Sequence, residues 1–134
     1  MVFAAVLAGG SGTRMGMALP KQFLPLGDEP ILIKTLKVFM NNADVDTVAL
    51  GIHPDWMEYA AELIEKHIGA RGREILLIGG GKDRSETLLN VISRLEQTEG
   101  YSEDSVLLTH DAVRPFVTDE MISKSVQTAT QYGA

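Results

Sequence analysis

Four short aliphatic runs, residues 2–7, 47–52, 74–78 and 105–109, alternate along the chain with segments whose apolar residues recur at helical spacing. Runs of that length, rich in Val, Ile and Leu, predict buried parallel strands. Strands joined by crossover helices pair in parallel, so the order βαβαβαβα predicts an open parallel sheet with helices on both sides. Ligands of such sheets bind beyond the carboxyl ends of the strands. Residues 31–40 follow Pro30 and place Leu32, Leu36, Phe39 and Met40 on one stripe. Residues 55–68 carry Trp56, Tyr59, Ala60, Leu63, Ile64 and His67 on one face and stop at Gly69. A third helix opens with Asp83 and Glu86 in capping-box relation and runs through Leu88, Leu89, Ile92 and Leu95 toward Gly100. A fourth opens at Thr118, has Asp119 and Glu120 in its first turn and ends near Gly133.

A chain of 134 residues with 45% apolar and 22% charged content fits one domain with one core, and excludes disorder, collagen and coiled coil. The absence of cysteine removes disulfides, zinc ribbons and thiol nucleophiles, and is compatible with a reducing compartment. Residues 1–10 are apolar and end in small residues, but they lack the basic start of a signal peptide. A buried strand entering a glycine loop is expected instead, and no other apolar run has the length of a membrane span. A soluble cytoplasmic protein with no membrane partner follows as the expectation. The net charge of −6 argues against nucleic acid, whose backbone demands many clustered cations. A small anion needs only a few, and five of the twelve basic residues, Arg14, Lys21, Lys82, Arg84 and Arg114, fall in three loops.

The first loop reads Leu7-Ala8-Gly9-Gly10-Ser11-Gly12-Thr13-Arg14-Met15-Gly16, followed by Pro20-Lys21-Gln22. Its glycines let backbone N–H groups close in on an anion. The dinucleotide fingerprint fails at Met15, where a third glycine belongs, and at Gly51-Ile52-His53, where an acidic residue should end the second strand. No Gly-Lys-Ser/Thr triplet exists for a P-loop. What remains is a glycine cradle flanked by Arg14 and Lys21, two cations suited to an α-phosphorus under attack. The plainer reading is a surface loop with two solvated basic residues. The second loop, Gly79 to Thr87, again joins a strand to a helix. Its glycines, Lys82, Arg84 and hydroxyls suit a base edge and a phosphate, while Asp83 and Ser85 can equally serve as helix caps.

The third loop, His110-Asp111-Ala112-Val113-Arg114-Pro115-Phe116, lies at another strand end. Asp111 suits Mg²⁺, which takes one or two carboxylates together with phosphate oxygens and water. Arg114 is expected to pair with Asp111 and fix the loop, and His110 to be packed or hydrogen-bonded rather than catalytic. His53 and His67 look incidental. Transfer onto a phosphate needs no general base, because the nucleophile is already anionic; positioning and charge neutralisation suffice. A nucleotide-binding module without chemistry and a purely structural domain are the other classes weighed, along with the disfavoured dinucleotide-dependent oxidoreductase.

The runs Leu-Ala-Gly-Gly-x-Gly-x-Arg-Met, Pro-Lys-Gln-Phe-Leu-Pro-Leu, Gly-Gly-x-x-Arg and His-Asp-Ala-Val-Arg-Pro-Phe, in this order, resemble the family of methylerythritol phosphate and ribitol 5-phosphate cytidylyltransferases. The resemblance covers essentially the whole chain. It implies a Rossmann-like three-layer α/β sheet of the nucleotide-diphospho-sugar transferase type, cut after its fourth βα unit, with residues 1–134 as the N-terminal nucleotide-binding part of one domain. It implies Arg14 and Lys21 as transition-state stabilisers. CTP would be contacted by Leu7, Ala8, Gly9 and Gly10, with Gly12 and Thr13 in the same loop. Cytosine and ribose would be recognised from Gly80, Gly81, Lys82, Asp83, Arg84, Ser85 and Thr87, and Mg²⁺ held by Asp111. Val113, Phe116 and the Gly9-Gly10 pair resemble the ribitol phosphate branch, which feeds teichoic acid synthesis, more than the methylerythritol branch of isoprenoid synthesis. Lys82 and Thr87 depart from the acidic and Ser residues often found in the latter. Members of the family continue further, with a dimerisation arm, acceptor-binding residues and a second metal carboxylate, so the full-length parent is expected to be a homodimer acting on CTP and a polyol phosphate.

Overall fold

The structure, a computed structural model, describes residues 1–8, 19–114 and 116–132. Strand β1 (Val2–Ala8) is followed, after the undescribed segment, by a 3₁₀ turn at Lys21–Phe23 and a two-stranded hairpin, β2 (Pro25–Leu26) and β3 (Glu29–Pro30). Then come α1 (Ile31–Met40), β4 (Thr47–Ile52), α2 (Pro54–His67), β5 (Leu76–Gly79), α3 (Arg84–Leu95), β6 (Val106–Asp111) and α4 (Asp119–Tyr132). The main sheet has the order β5-β4-β1-β6, all parallel, with Leu50 beside Val6 and Asp111 beside Leu7. The expected α/β architecture is therefore present.

Alternation along β1 sorts the core. Ala4, Val6 and Ala8 face Leu32, Ile33, Leu36 and Phe39 of α1, Ala60 and Ile64 of α2 and Ile122 of α4. Phe3, Ala5 and Leu7 face the opposite way, onto Val91 and Leu95 of α3. Fully burying one such large aliphatic side chain stabilises by about 1.5–3 kcal/mol, so the two faces hold the helices firmly. The lone helix on the second face follows from the topology. The chain steps outward from β1 to β4 to β5, then reverses across β1 to β6, and crossovers of constant hand put the reversing helix on the other side. The strand order thus reverses at β1, and ligands of open α/β sheets bind beyond the carboxyl ends of the strands at such a reversal.

Several boundaries differ from those expected. The third strand was expected over 74–78 but begins at Leu76, because residues 69–74 form a 3₁₀ turn whose Arg71 binds the Met40 carbonyl and the Asn41 side chain, both at 3.0 Å. The fourth strand extends two residues beyond 109, through Asp111, along its register with β1. The hairpin at 25–30, with Gly27 at φ +75°, was not expected. Helix α2 begins at Pro54, and the ring Nδ1 of His53 accepts the Asp55 N–H at 3.0 Å, so His53 is an N-cap rather than incidental. Thr118 caps α4 by accepting the Met121 N–H at 3.1 Å. Helix α3 ends at Leu95, short of Gly100.

Cross-ties join the elements at the strand ends. The Ile31 N–H donates to the Leu24 carbonyl at 2.9 Å, seating the 3₁₀ turn and hairpin on the start of α1. The buried Thr35 hydroxyl lies 3.2 Å from both the Ile31 and Ala112 carbonyls. Buried Asn42 holds Asp119 and Ser123 of α4 through its amide. Strand β6 pairs only with β1 among the described residues, and a groove of about 570 Å³ runs beside it, lined by Leu107, Leu108, Thr109, Met121 and Ser125.

Candidate nucleotide site

The candidate residues sit where the topology opens the sheet. Leu7 and Ala8 end β1 with side chains buried on opposite faces, and the Leu7 carbonyl accepts the Ala112 N–H at 2.9 Å. Any contact these two residues make with a ligand therefore runs through backbone. Gly9, Gly10, Gly12, Thr13 and Arg14 lie outside the described residues. Lys21 is exposed at the start of the 3₁₀ turn and pairs with no carboxylate among the described residues. Its turn is anchored by Phe23, which packs edge-on against Tyr59 at 4.9 Å and tilted against Trp56 at 5.4 Å. An exposed cation on a packed turn results.

The loop from β5 to α3 is organised from within. Gly80 N–H donates to the Ile52 carbonyl at 2.6 Å, Gly81 N–H to the Thr87 hydroxyl at 3.0 Å, and Lys82 N–H to Glu86 Oε1 at 3.3 Å. Asp83 caps α3 by accepting the Glu86 N–H at 2.8 Å. The capping box is thus shifted, its return bond reaching Lys82 instead of Asp83. Glu86 lies so close across Gly81 that a Cβ there would fall 2.2 Å from its Cγ. Thr87 is buried, and its hydroxyl also donates to the Asp83 carbonyl at 2.9 Å, so Thr87 braces the loop from inside. With these three amides occupied, the exposed side chains of Lys82, Arg84 and Ser85 remain outward, beside the first N–H groups of α3, which have no partner within the helix.

Asp111 joins this loop to the next. Its Oδ1 lies 3.3 Å from Nε of Arg84, at the start of α3, and its Oδ2 lies 3.5 Å from Nε of Arg114. The Arg114 pairing was expected; the Arg84 pairing was not, since nothing in the spacing links residues 84 and 111. The Asp111 side chain is 36% exposed, in contact with solvent at the carboxyl end of β6. His110 packs on Phe39 at 5.3 Å between ring centroids and holds the Arg114 carbonyl through Nε2 at 2.7 Å, a structural use of the ring. Thr35, which grips Ala112 from α1, escaped sequence reasoning because a buried mid-helix threonine leaves no pattern.

Asp111 is a hard carboxylate open to solvent at this edge, a donor of the kind Mg²⁺ takes, and among the described residues no group of three or more His, Cys, Asp or Glu gathers. Four guanidinium or ammonium groups, those of Lys21, Lys82, Arg84 and Arg114, are carried on segments that end or follow strands on this edge.

A parallel sheet whose strand order reverses at β1, with cations and one carboxylate at its carboxyl edge, is an α/β fold of the class that takes ligands beyond the strand ends. The chain belongs to the IspD family, 2-C-methyl-D-erythritol 4-phosphate cytidylyltransferase, whose model it matches over residues 2–134. It is 39% identical over 135 aligned residues to a ribitol-5-phosphate cytidylyltransferase of Streptococcus pneumoniae serotype 2 (strain D39), covering 100% of this chain and 57% of that protein. Among solved structures it is similar to a 4-diphosphocytidyl-2C-methyl-D-erythritol synthase, with TM-score 0.76 and 22% identity over 96% of this chain and 53% of that one. A second synthase, from Anaerococcus prevotii DSM 20548, superimposes with TM-score 0.72 and 27% identity over 98% of this chain and 51% of that one. The chain thus spans little more than half the length of the relatives it matches. No helix among the described residues is long and apolar enough to cross a membrane.

Proposed function

We propose that the protein containing this chain transfers a cytidylyl group from CTP to a polyol phosphate, D-ribitol 5-phosphate in preference to 2-C-methyl-D-erythritol 4-phosphate, in the cytoplasm and as a homodimer. The observation that carries the reading is the Asp111 carboxylate flanked by Arg84 and Arg114 at the carboxyl end of β6, beside β1. It supplies what a nucleoside triphosphate requires: a hard oxygen for a divalent cation and cations for the phosphates. The preference for ribitol 5-phosphate rests on the pneumococcal relatives, at 39% identity, against 22% and 27% for the two synthases.

In this reading an oxygen of the acceptor phosphate attacks the α-phosphorus of CTP. The new P–O bond forms as the bond to the β-phosphate oxygen breaks, and pyrophosphate leaves with that electron pair. No proton need be removed, because the acceptor is already an anion. Arg14 and Lys21 stabilise charge growing on the oxygens of the α-phosphorus. Lys82 and Ser85 hold the nucleoside end, Arg84 reaches the phosphates, and Asp111 would hold Mg²⁺. When bound, that ion neutralises phosphate charge and fixes the triphosphate for in-line displacement.

Pyrophosphate release is measured with CTP and each acceptor in turn, using the full-length protein. Turnover with ribitol 5-phosphate well above that with methylerythritol phosphate supports the reading. The reverse preference moves the assignment to the other branch, and no turnover with either removes it. Because the chain spans 57% of the pneumococcal relative, a second reading gives this segment nucleotide binding alone. Calorimetry with CTP and Mg²⁺ on the 134-residue chain, showing binding without product, distinguishes it.

A further inference from the structure

We infer that Arg84 and Arg114 are exchangeable partners of Asp111, yielding the carboxylate to the divalent cation and turning to nucleotide phosphates, so that cation and nucleotide bind cooperatively. This rests on the reading of this edge as a metal–CTP site. Each oxygen of Asp111 faces a different guanidinium, Oδ1 at 3.3 Å from Arg84 and Oδ2 at 3.5 Å from Arg114. A hard cation that takes a carboxylate oxygen competes with them for the same charge and lone pairs.

The pairs are built to open. The side chains of Arg84 and Arg114 are 56% and 75% exposed, and ion pairs so open to water are weakly held. The loops that carry them are fastened independently: one by the Gly80–Ile52 hydrogen bond and the Asp83 cap, the other by the Ala112–Leu7 bond, the Thr35 hydroxyl and His110. Release is thus confined to two side chains and requires no movement of the sheet edge.

Charge balance makes the exchange depend on nucleotide. Asp111 with two guanidiniums carries a net charge of about +1, and a divalent ion entering alone would raise it to about +3 within a few ångströms, which Coulomb repulsion opposes. A triphosphate brings several negative charges, accepts bidentate hydrogen bonds from the freed guanidiniums and shares the cation with Asp111. Each ligand therefore lowers the barrier to the other, and by linkage the coupling is reciprocal.

The test is titration of the protein with Mn²⁺ followed by electron paramagnetic resonance, with and without CTP, on the wild type and on Arg84→Gln, Arg114→Gln, the double variant and Asp111→Asn. In the wild type, CTP is expected to tighten Mn²⁺ binding by about tenfold or more. The double variant is expected to bind Mn²⁺ alone about three- to tenfold more tightly than wild type, since both competitors are gone. It should bind CTP more weakly and show a smaller coupling factor, and Asp111→Asn should lose binding of the metal alone. All three side chains are solvent-accessible, and circular dichroism confirms that each variant is folded. If CTP binds the wild type while Mn²⁺ affinity in the double variant is unchanged or weaker, the exchange is overturned and the functional reading stands. Undiminished metal binding by Asp111→Asn overturns it as well. If the wild type binds no CTP, the functional reading fails, and the exchange with it.

Discussion

Thr35 is fully buried in the middle of α1, and its hydroxyl is shared between the Ile31 and Ala112 carbonyls. The second contact crosses from helix to strand-end loop, one residue after Asp111. Replacing the hydroxyl with a methyl leaves the Ala112 carbonyl without this partner, so Thr35→Val is expected to destabilise the chain by about 1–3 kcal/mol, read from the midpoint of urea unfolding. Lys21 and Arg14 act differently, since their assigned task is charge stabilisation during transfer. Lys21→Ala and Arg14→Ala are each expected to lower turnover of the full-length protein by about 10² or more, with folding unchanged. Normal turnover in both would remove that role.

At the level of elements, the contact between α3 and β4 sets where the second loop lies. Gly51 allows it: a Cβ there would meet Thr87 Cγ2 at 2.7 Å and Val91 Cγ2 at 3.0 Å, both on stiff β-branched side chains. Gly51→Ala is expected to cost about 1–3 kcal/mol through overpacking and to weaken CTP binding by shifting Thr87, which braces Gly81 and Asp83. Thermal unfolding and calorimetry read the two effects. The elements themselves were largely legible in the sequence. Aliphatic runs marked the strands because a doubly covered parallel sheet buries both faces, and Asp83, Thr118 and Pro30 marked helix starts through local chemistry. The hairpin at 25–30 was not legible, since strands of two residues are too short to carry a period. Gly51 read only as a missing acidic residue, because the helix it admits comes from far along the chain. The Arg84–Asp111 pair and the Thr35–Ala112 tie span 27 and 77 residues, and such contacts exist only once the sheet has ordered the strand ends.

For the molecule as a whole, β6 is the exposed boundary of the sheet among the described residues, with Leu107, Leu108 and Met121 beside it in the groove against α4. An edge strand with apolar neighbours is a template for pairing with another chain. The 134-residue chain is therefore expected to self-associate as concentration rises, and Thr109→Lys, which sets a charge on that edge, to reduce the association without lowering thermal stability; sedimentation velocity measures it. At the opposite side of the sheet's carboxyl end, the first turn of α1 touches two segments at once. Ile31 is bonded to the stretch that bears Lys21, and Thr35 to the loop that bears Asp111. Those anchor points are four residues apart on one rigid rod, about 6 Å along its axis at 1.5 Å per residue. The helix consequently works as a gauge block: the span from the turn that bears Lys21 to the loop that bears Asp111 is dimensioned by peptide geometry, and a single inserted residue between 31 and 35 would rotate one attachment about 100° away from the other.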